Sequence, residues 1–164
     1  MRIAIAGSGY VGLVAGACLA DFGHQVVCVD RDHDKIAALQ QGEIPIFEPG
    51  LAELVSENTK SNRLLFTTDL AAAVAEAELV FVAVGTPPRP DDGRADLSAV
   101  HTVASEIAVS LRNMVVIATK STVPVGTGDE IERSIRDRNP LADVAVVSNP
   151  EFLREGAAIG DFKL

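Results

Sequence analysis

The chain has 164 residues, of which 48% are hydrophobic and 23% charged, a composition typical of one soluble globular domain. No apolar run approaches the roughly 20 residues needed to span a bilayer, and the formal net charge of −9 disfavours nucleic acid as a partner. Met1 and Arg2 lead directly into the first predicted strand, so we expect no signal peptide, no membrane association and a cytoplasmic location.

The first predicted elements are a strand at 3–6, a glycine turn and a helix at 13–22, joined by a GxGxxG pattern. Gly7 permits the sharp turn off the strand, Gly9 lets a pyrophosphate approach the backbone, and Gly12 lets the helix pack tightly on the strand. The free N–H groups at the start of the helix and the positive end of its dipole favour an anion there. The sequence therefore predicts a phosphate site at this turn.

The second predicted strand, 26–29, ends in Asp30. In dinucleotide-binding folds a carboxylate roughly 20 residues beyond the glycines binds the adenosine ribose, and we favour this role for Asp30 over that of a solvated strand end. Lys35, near the start of a predicted helix at 32–41, is explained equally by solvent exposure and by contact with the adenosine half. Asp30 should repel a 2′-phosphate and so favour NAD over NADP, although the adjacent Arg31 is of a type that can accommodate that phosphate.

Helices and strands alternate along the rest of the chain. The predicted helices cover 51–58, 70–76, 97–111 and 129–138, and the predicted strands cover 64–66, 79–84, 114–118 and 144–147. Continuous apolar runs of this kind are typical of strands buried on both faces of a parallel sheet. The pattern predicts an α/β fold, a Rossmann-type doubly wound and mostly parallel sheet of about six buried strands, with helices on both faces and the order 3-2-1-4-5-6.

Polar residues follow the strands at the edge of the sheet where ligands bind. Thr86 is one candidate contact, and the hydroxyl-rich loop at 119–127 is another, although Thr127 is expected to cap the following helix. Glu151 and Glu155 lie four residues apart after the last strand and would face the same side of one helical turn. A helix-surface pair is the usual explanation for that spacing, but the position at the ligand edge favours a functional role.

The cysteines and histidines give no sign of a reactive or metal site. Cys18 and Cys28 lie in apolar segments and are expected to be small buried hydrophobic residues, without redox or nucleophilic roles. His24, His33 and His101 lack metal-binding spacing, so the sequence predicts no metal site.

Seven segments, which follow one another in unbroken order along the whole chain, carry the resemblance to a known family: GSGYVGLVAGACLADFGHQVVCVD, PIFEPGL, FTTDL, VFVAVGTP, DGRADLS, KSTVPVGT and SNPEFLREGAAIGDF. Together they resemble the nucleotide-sugar dehydrogenases of the UDP-glucose/GDP-mannose dehydrogenase family, most closely those that act on UDP-glucose. The resemblance implies oxidation of UDP-glucose to UDP-glucuronate with two NAD+, through an enzyme thiol adduct and a thioester. GDP-mannose or a UDP-N-acetylhexosamine is the nearest alternative substrate. A non-catalytic dinucleotide-binding module is an alternative of a different class.

The resemblance also implies roles for individual positions. The residues that would hold the pyrophosphate are Gly7, Gly9, Tyr10, Val11 and Gly12, and those that would hold the adenosine ribose are Asp30 and Lys35. Thr86 and Thr122 would lie beside the nicotinamide half or a catalytic water. Glu151 would be the general base for thioester hydrolysis, and Glu155 would contact both cofactor and substrate. The sugar site would be lined by Glu151, Phe152, Leu153, Arg154 and Glu155.

In the family that the chain resembles, the nucleophilic cysteine lies far downstream, in a second domain. We therefore expect residues 1–164 to be a truncated N-terminal NAD-binding domain, without the central helix and the C-terminal substrate and catalytic-cysteine domain. Neither Cys18 nor Cys28 lies in the motif of the family's thiol, so the chain alone is expected to bind NAD without oxidising UDP-glucose. The homo-oligomer of the family would form through the missing part.

Overall fold

The computed structural model describes residues 1–163, which form six strands and seven helices, with two successive helices between the second and third strands. The strands are β1 (Arg2–Ala6), β2 (Gln25–Val29), β3 (Leu64–Thr67), β4 (Leu79–Val82), β5 (Val115–Thr119) and β6 (Val144–Ser148). The helices are α1 (Tyr10–Asp21), α2 (His33–Gln40), α3 (Leu51–Lys60), α4 (Leu70–Glu76), α5 (Ser98–Ser110), α6 (Thr127–Arg138) and α7 (Ala158–Lys163). None of these helices is both long enough and apolar enough to cross a membrane.

The six strands form one sheet in which every pairing is parallel, in the order β3-β2-β1-β4-β5-β6. The predicted Rossmann-type fold and strand order are confirmed. From β1 the chain winds outward through β2 and β3, and then returns to build β4, β5 and β6 on the other side. The reversal between β1 and β4 creates a crevice at the carboxyl ends of these strands, which is where open α/β sheets bind ligands.

Each face of the sheet carries its own hydrophobic core. Helices α4, α5 and α6 cover one face, and helices α1, α2, α3 and α7 cover the other. Because successive side chains of a strand point to opposite faces, Ala4 belongs to the first core and Ile5 to the second, and both are fully buried. This double burial explains why the central strands are continuous apolar runs instead of alternating ones.

Two strands differ from the prediction. β4 ends at Val82, although the apolar run continues to Val84, because the backbone leaves the sheet before the glycine and prolines that follow. β6 is not fully buried, since α6 covers the side that carries Val144 and Val146 while Val147 on the opposite side is exposed. Hydrophobicity alone does not distinguish an edge strand from a central one.

The start of α6 also differs. Thr127 does not cap this helix, contrary to the prediction, because it is the first helical residue and Gly126, with φ of 92°, holds the cap position. The Thr127 hydroxyl is buried and donates to the Pro124 carbonyl at 2.8 Å. Its role is to close the preceding loop.

Candidate functional site

The glycine turn between β1 and α1 has the geometry that its sequence predicts. Gly7 has φ of 104°, and a Cβ there would lie 2.5 Å from the Ala83 carbonyl oxygen, so only glycine fits. A Cβ on Gly12 would overlap the Gly7 carbonyl, which shows how closely α1 approaches the turn. Gly9 instead has open space beside it and begins α1 without a side-chain cap. The first N–H groups of the helix are therefore left for an anion.

Asp30 follows β2 and lies beside this turn, with its side chain only 15% exposed. Its Oδ2 accepts the Ser8 N–H at 3.0 Å, the Ser8 hydroxyl at 2.9 Å and the Lys35 ammonium at 2.8 Å, and its Oδ1 accepts the Asp32 N–H at 3.1 Å. Burial opposes ionisation, but the Lys35 ammonium and the neighbouring donors outweigh it and lower the pKa of Asp30 to about 2. Asp30 is thus a fixed carboxylate with spare acceptor capacity on Oδ1, and Lys35 is its ion-pair partner.

A cleft of about 310 Å³ opens beside Asp30, at the carboxyl ends of β1, β2 and β4. Its polar wall contains the glycine turn, Asp30 and Lys35, and its apolar wall is formed by Val29, Leu70, Val84 and Val103. Arg31 and Glu106 of α5 form an ion pair, and both side chains line the same cleft. An apolar wall facing a fixed carboxylate suits a flat base that is joined to a sugar.

A second cleft, of about 270 Å³, adjoins the first at Gly9 and brings together residues from four segments. Its predicted site residues are Gly9, Tyr10, Val11, Thr86, Thr122 and Glu151. The Thr86 hydroxyl donates to the Thr122 carbonyl at 3.1 Å, which joins the loops after β4 and β5. Hydroxyls beside a carboxylate are suited to holding and activating a water molecule.

Glu151 and Glu155 do not share a helical turn, contrary to the prediction. Residues 151–154 have no regular structure, and α7 begins only at Ala158. Glu151 Oε2 accepts the Leu153 N–H at 2.6 Å, a local bond that competes with a helical one. The same bond fixes the Glu151 carboxylate within the second cleft.

The remaining predicted sugar-site residues line neither cleft. Phe152 is 87% exposed and Glu155 is exposed in a turn, whereas Leu153 packs against the core under α1. The Arg154 guanidinium is bound to Asp161 of α7, with contacts of 2.6 and 3.0 Å. Of these four side chains, Phe152, Arg154 and Glu155 are exposed, and Leu153 points towards the core.

Two buried charged residues that the sequence pattern does not identify lie at or beside the second cleft. Lys120, 7% exposed, lines the second cleft, and its Nζ lies 5.3 Å from the ring centroids of both Phe81 and Phe162. Burial lowers the pKa of Lys120. Glu48 is buried and accepts the Tyr10 hydroxyl. The available signals were a lysine directly after an apolar strand and an acid in an otherwise apolar, proline-rich loop.

Both cysteines are buried, as predicted. Cys18 lies in α1 and Cys28 in β2, and neither exposes any surface. Burial raises the pKa of Cys18 to about 11 and that of Cys28 to about 12, so neither is a thiolate at neutral pH. Within residues 1–163, no three histidine, cysteine or acidic side chains converge as metal ligands.

Comparison with known proteins identifies the family to which this site belongs. Residues 1–163 match the family model described as the UDP-glucose/GDP-mannose dehydrogenase family, NAD binding domain. The chain belongs to this family. Its glycine turn, with open N–H groups and space at Gly9, and its ionised Asp30 fit the dinucleotide that the family description names.

Curated members of the UDP-glucose/GDP-mannose dehydrogenase family are similar across nearly the whole chain. A UDP-glucose 6-dehydrogenase from Rhizobium meliloti is 66% identical over 163 residues, which are 99% of this chain and 37% of the relative. One from Pseudomonas aeruginosa is 49% identical over 167 residues, with the same shares. The chain thus spans a little over a third of the length of these relatives.

Solved structures from the family have the same fold. A ternary complex of GDP-mannose dehydrogenase from Pseudomonas aeruginosa superposes with a TM-score of 0.94 at 40% identity, covering 99% of this chain and 38% of the other. A UDP-glucose dehydrogenase from Pyrobaculum islandicum gives a TM-score of 0.93 at 39% identity, covering 98% and 38%. Similarity of the fold therefore does not separate the two sugar nucleotides.

Proposed function

We propose that the chain is the N-terminal, NAD-binding domain of a nucleotide-sugar dehydrogenase that oxidises UDP-glucose to UDP-glucuronate. The observation that carries the choice of sugar is the 66% identity to the UDP-glucose 6-dehydrogenase of Rhizobium meliloti. Identity to the GDP-mannose dehydrogenase of Pseudomonas aeruginosa is 40%. The protein's full length would then include the central helix and the C-terminal substrate domain, which lie outside this match.

The cofactor would extend across both clefts, which meet at Gly9. The pyrophosphate would rest against the turn formed by Gly7, Gly9, Tyr10, Val11 and Gly12, where the N–H groups of the first turn of α1 provide donors without a lysine cluster. Asp30, through its available Oδ1, and Lys35 would bind the adenosine ribose. Thr86 and Thr122 would lie by the nicotinamide half, and Glu155 would contact both cofactor and substrate.

Oxidation of a primary alcohol to a carboxylate removes four electrons, for which bound NAD+ supplies the hydride acceptor twice in each turnover. The thiol that carries the thioester would lie outside this chain, because Cys18 and Cys28 are both buried with raised pKa values. Glu151 would take a proton from the water that attacks the thioester carbonyl, while the thiolate leaves. Thr122 would hold that water, and the segment Phe152, Leu153 and Arg154 would line the sugar site.

Three measurements test the proposal. Titration calorimetry of the chain should show NAD+ binding more tightly than NADP+, and the chain alone should form no NADH from UDP-glucose. The full-length protein that contains this chain should form NADH fastest with UDP-glucose, compared with GDP-mannose and UDP-N-acetylhexosamines. A preference for GDP-mannose would show that the sugar is wrong. NAD+ binding without oxidation of any sugar nucleotide by the full-length protein would favour a non-catalytic binding module.

A further inference from the structure

Glu48 is a buried carboxylate that the mechanism above does not use. It precedes α3 and is only 6% exposed. Within residues 1–163, no lysine or arginine forms an ion pair with it. A buried carboxylate without a cation is stable only where neutral donors surround it. The identity of those donors therefore indicates what Glu48 does.

One donor comes from the cofactor turn. Tyr10 is the first residue of α1, directly after Gly9, and its hydroxyl donates to Glu48 Oε2 at 2.6 Å. Burial and then the bond to Glu48 raise the pKa of Tyr10 to about 12, so the phenol remains a donor at neutral pH. Glu48 is thereby attached to the start of the helix that would hold the pyrophosphate.

Two more donors come from the far end of the chain. The Gly156 N–H donates to Oε2 at 2.8 Å and the Ala158 N–H donates to Oε1 at 2.9 Å. Gly156 directly follows Glu155, and Ala158 begins α7. The carboxylate thus holds the segment that follows Glu151 from a position 110 residues earlier in the sequence than Ala158.

We propose that Glu48 is a positioning residue that ties the cofactor turn to the 151–156 segment, so that Tyr10 and Glu155 keep a fixed separation. This inference rests on the proposed function, which gives NAD to the turn and the sugar to the segment. The bridge requires a carboxylate, because its two oxygens accept from all three donors at once. An amide of the same shape would place its NH2 group against one of them.

Hydrogen exchange at the Gly156 and Ala158 amides of the chain, measured by NMR with and without NAD+, tests the bridge, because neither residue lines the two clefts. NAD+ should slow both amides about threefold or more in the wild-type chain, by stabilising their hydrogen bonds. That slowing should vanish in Tyr10→Phe, which removes the hydroxyl and keeps the N–H. In Glu48→Gln both amides should exchange about tenfold faster even without NAD+.

Glu53→Gln is the matched control, since Glu53 is an exposed carboxylate of α3, and it should behave as the wild-type chain does. Equal slowing by NAD+ in Tyr10→Phe and wild type would overturn the proposal. Should Glu48→Gln fail to fold, the Ala158 amide of Tyr10→Phe decides, because its partner is Glu48, whereas the Tyr10 hydroxyl also lies 3.4 Å from the Arg154 carbonyl near Gly156. Absence of NAD+ binding by calorimetry would instead count against the proposed function. The bridge would then be judged without NAD+: faster Ala158 exchange in Tyr10→Phe supports it, and unchanged exchange overturns it.

Discussion

Asp30 is the single residue on which cofactor affinity should depend most directly. Asp30→Asn keeps the shape of the side chain but removes charge-assisted hydrogen bonds worth about 1.5–3 kcal/mol, so NAD+ affinity should fall about 10- to 100-fold. Calorimetry of the chain measures this fall. Asp34→Asn, an exposed acid in the first turn of α2, is the control and should bind as wild type does. Equal NAD+ affinity in Asp30→Asn and wild type would contradict the ribose assignment.

The Asp30 carboxylate should also make the free energy of unfolding fall at acidic pH. Its pKa is about 2 in the folded chain, against 3.8 as the ordinary value, so its contribution is complete above pH 3.8 and is lost as the pH falls through 2. The contribution amounts to about 2 kcal/mol. As the pH falls through this range, urea unfolding should therefore show a smaller loss of unfolding free energy in Asp30→Asn than in wild type. Asp161, whose pKa is also about 2, is present in both proteins, so it contributes the same acid-dependent loss of stability to each.

Glu106 should add to the discrimination against NADP. Its ion pair with Arg31 holds the one arginine next to Asp30 that could meet a 2′-phosphate. Because exposed pairs of this kind are worth about 0.2–1 kcal/mol, Glu106→Gln should raise the affinity for NADP+ relative to NAD+ by up to about fivefold. Calorimetry with both cofactors gives the ratio. Glu130→Gln, which changes an exposed acid in the first turn of α6, is the control and should show no gain. The gain should also disappear in Arg31→Ala/Glu106→Gln, and a gain that persists without Arg31 would refute the mechanism.

The residues that could be predicted are those whose role depends on local spacing. The three glycines and Asp30 are recognisable because strand, turn and helix fix their separation. The sequence does not assign roles to Ser8, Glu48 and Lys120, since their partners are distant in sequence. The Ser8 hydroxyl donates to Asp30, and Glu48 accepts from both Tyr10 and Ala158. Spacing within one segment carries no information about such contacts.

Helix α1 packs on the sheet through a glycine that is not part of the GxGxxG pattern. A Cβ on Gly16 would lie 2.5 Å from the Cys28 Sγ in β2. Although alanine favours a helix by about 1 kcal/mol over glycine, overpacking should make Gly16→Ala destabilising overall, by about 1–3 kcal/mol. In a Cys28→Ala background the sulfur is gone, so adding Gly16→Ala should cost little or stabilise the chain. Urea unfolding of the wild type, the two single variants and the Gly16→Ala/Cys28→Ala double variant measures the coupling between these two positions.

Gly160 supplies the control for this cycle, because it lies in α7 with open space where a Cβ would be. Gly160→Ala should leave stability unchanged or raise it by up to about 1 kcal/mol, with no dependence on Cys28. A Gly16→Ala cost that is the same with and without the Cys28 sulfur would show that the two elements do not meet as described.

Elements with a strong period were predictable, and those decided by a local side-chain bond were not. The amphipathic spacing of α5 and the apolar run of β5 determine those elements directly. The carboxylate spacing of Glu151 and Glu155 also fits a helix, but the bond from the Leu153 N–H to Glu151 holds the backbone in another path. Helical spacing is necessary for a helix and does not exclude a competing turn.

The topology of the whole molecule could be derived because few arrangements satisfy its constraints. Parallel strands joined by helices cross over with one hand, and each apolar strand needs both faces covered. Those rules lead to the observed order β3-β2-β1-β4-β5-β6 and place every strand end that carries a candidate residue at one edge. They do not determine which strands remain partly exposed, as β6 does.

Both cysteines lie in the core that α1, α2, α3 and α7 form with the sheet. Their reactivity should therefore report on the unfolding of the chain and on how far NAD+ binding stabilises the folded state. Both thiols are fully buried with raised pKa values, so an alkylating reagent should modify them only after unfolding.

A ligand at 100 times its Kd stabilises the folded state by about 2.7 kcal/mol, so NAD+ at that concentration should slow modification about 100-fold. Asp30→Asn at the same NAD+ concentration, with affinity about 10- to 100-fold weaker, should show a slowing of only about twofold to tenfold. Mass spectrometry of quenched time points gives the rates. Modification that NAD+ does not slow, in a chain that binds it by calorimetry, would mean that the thiols open locally and independently of the cofactor site.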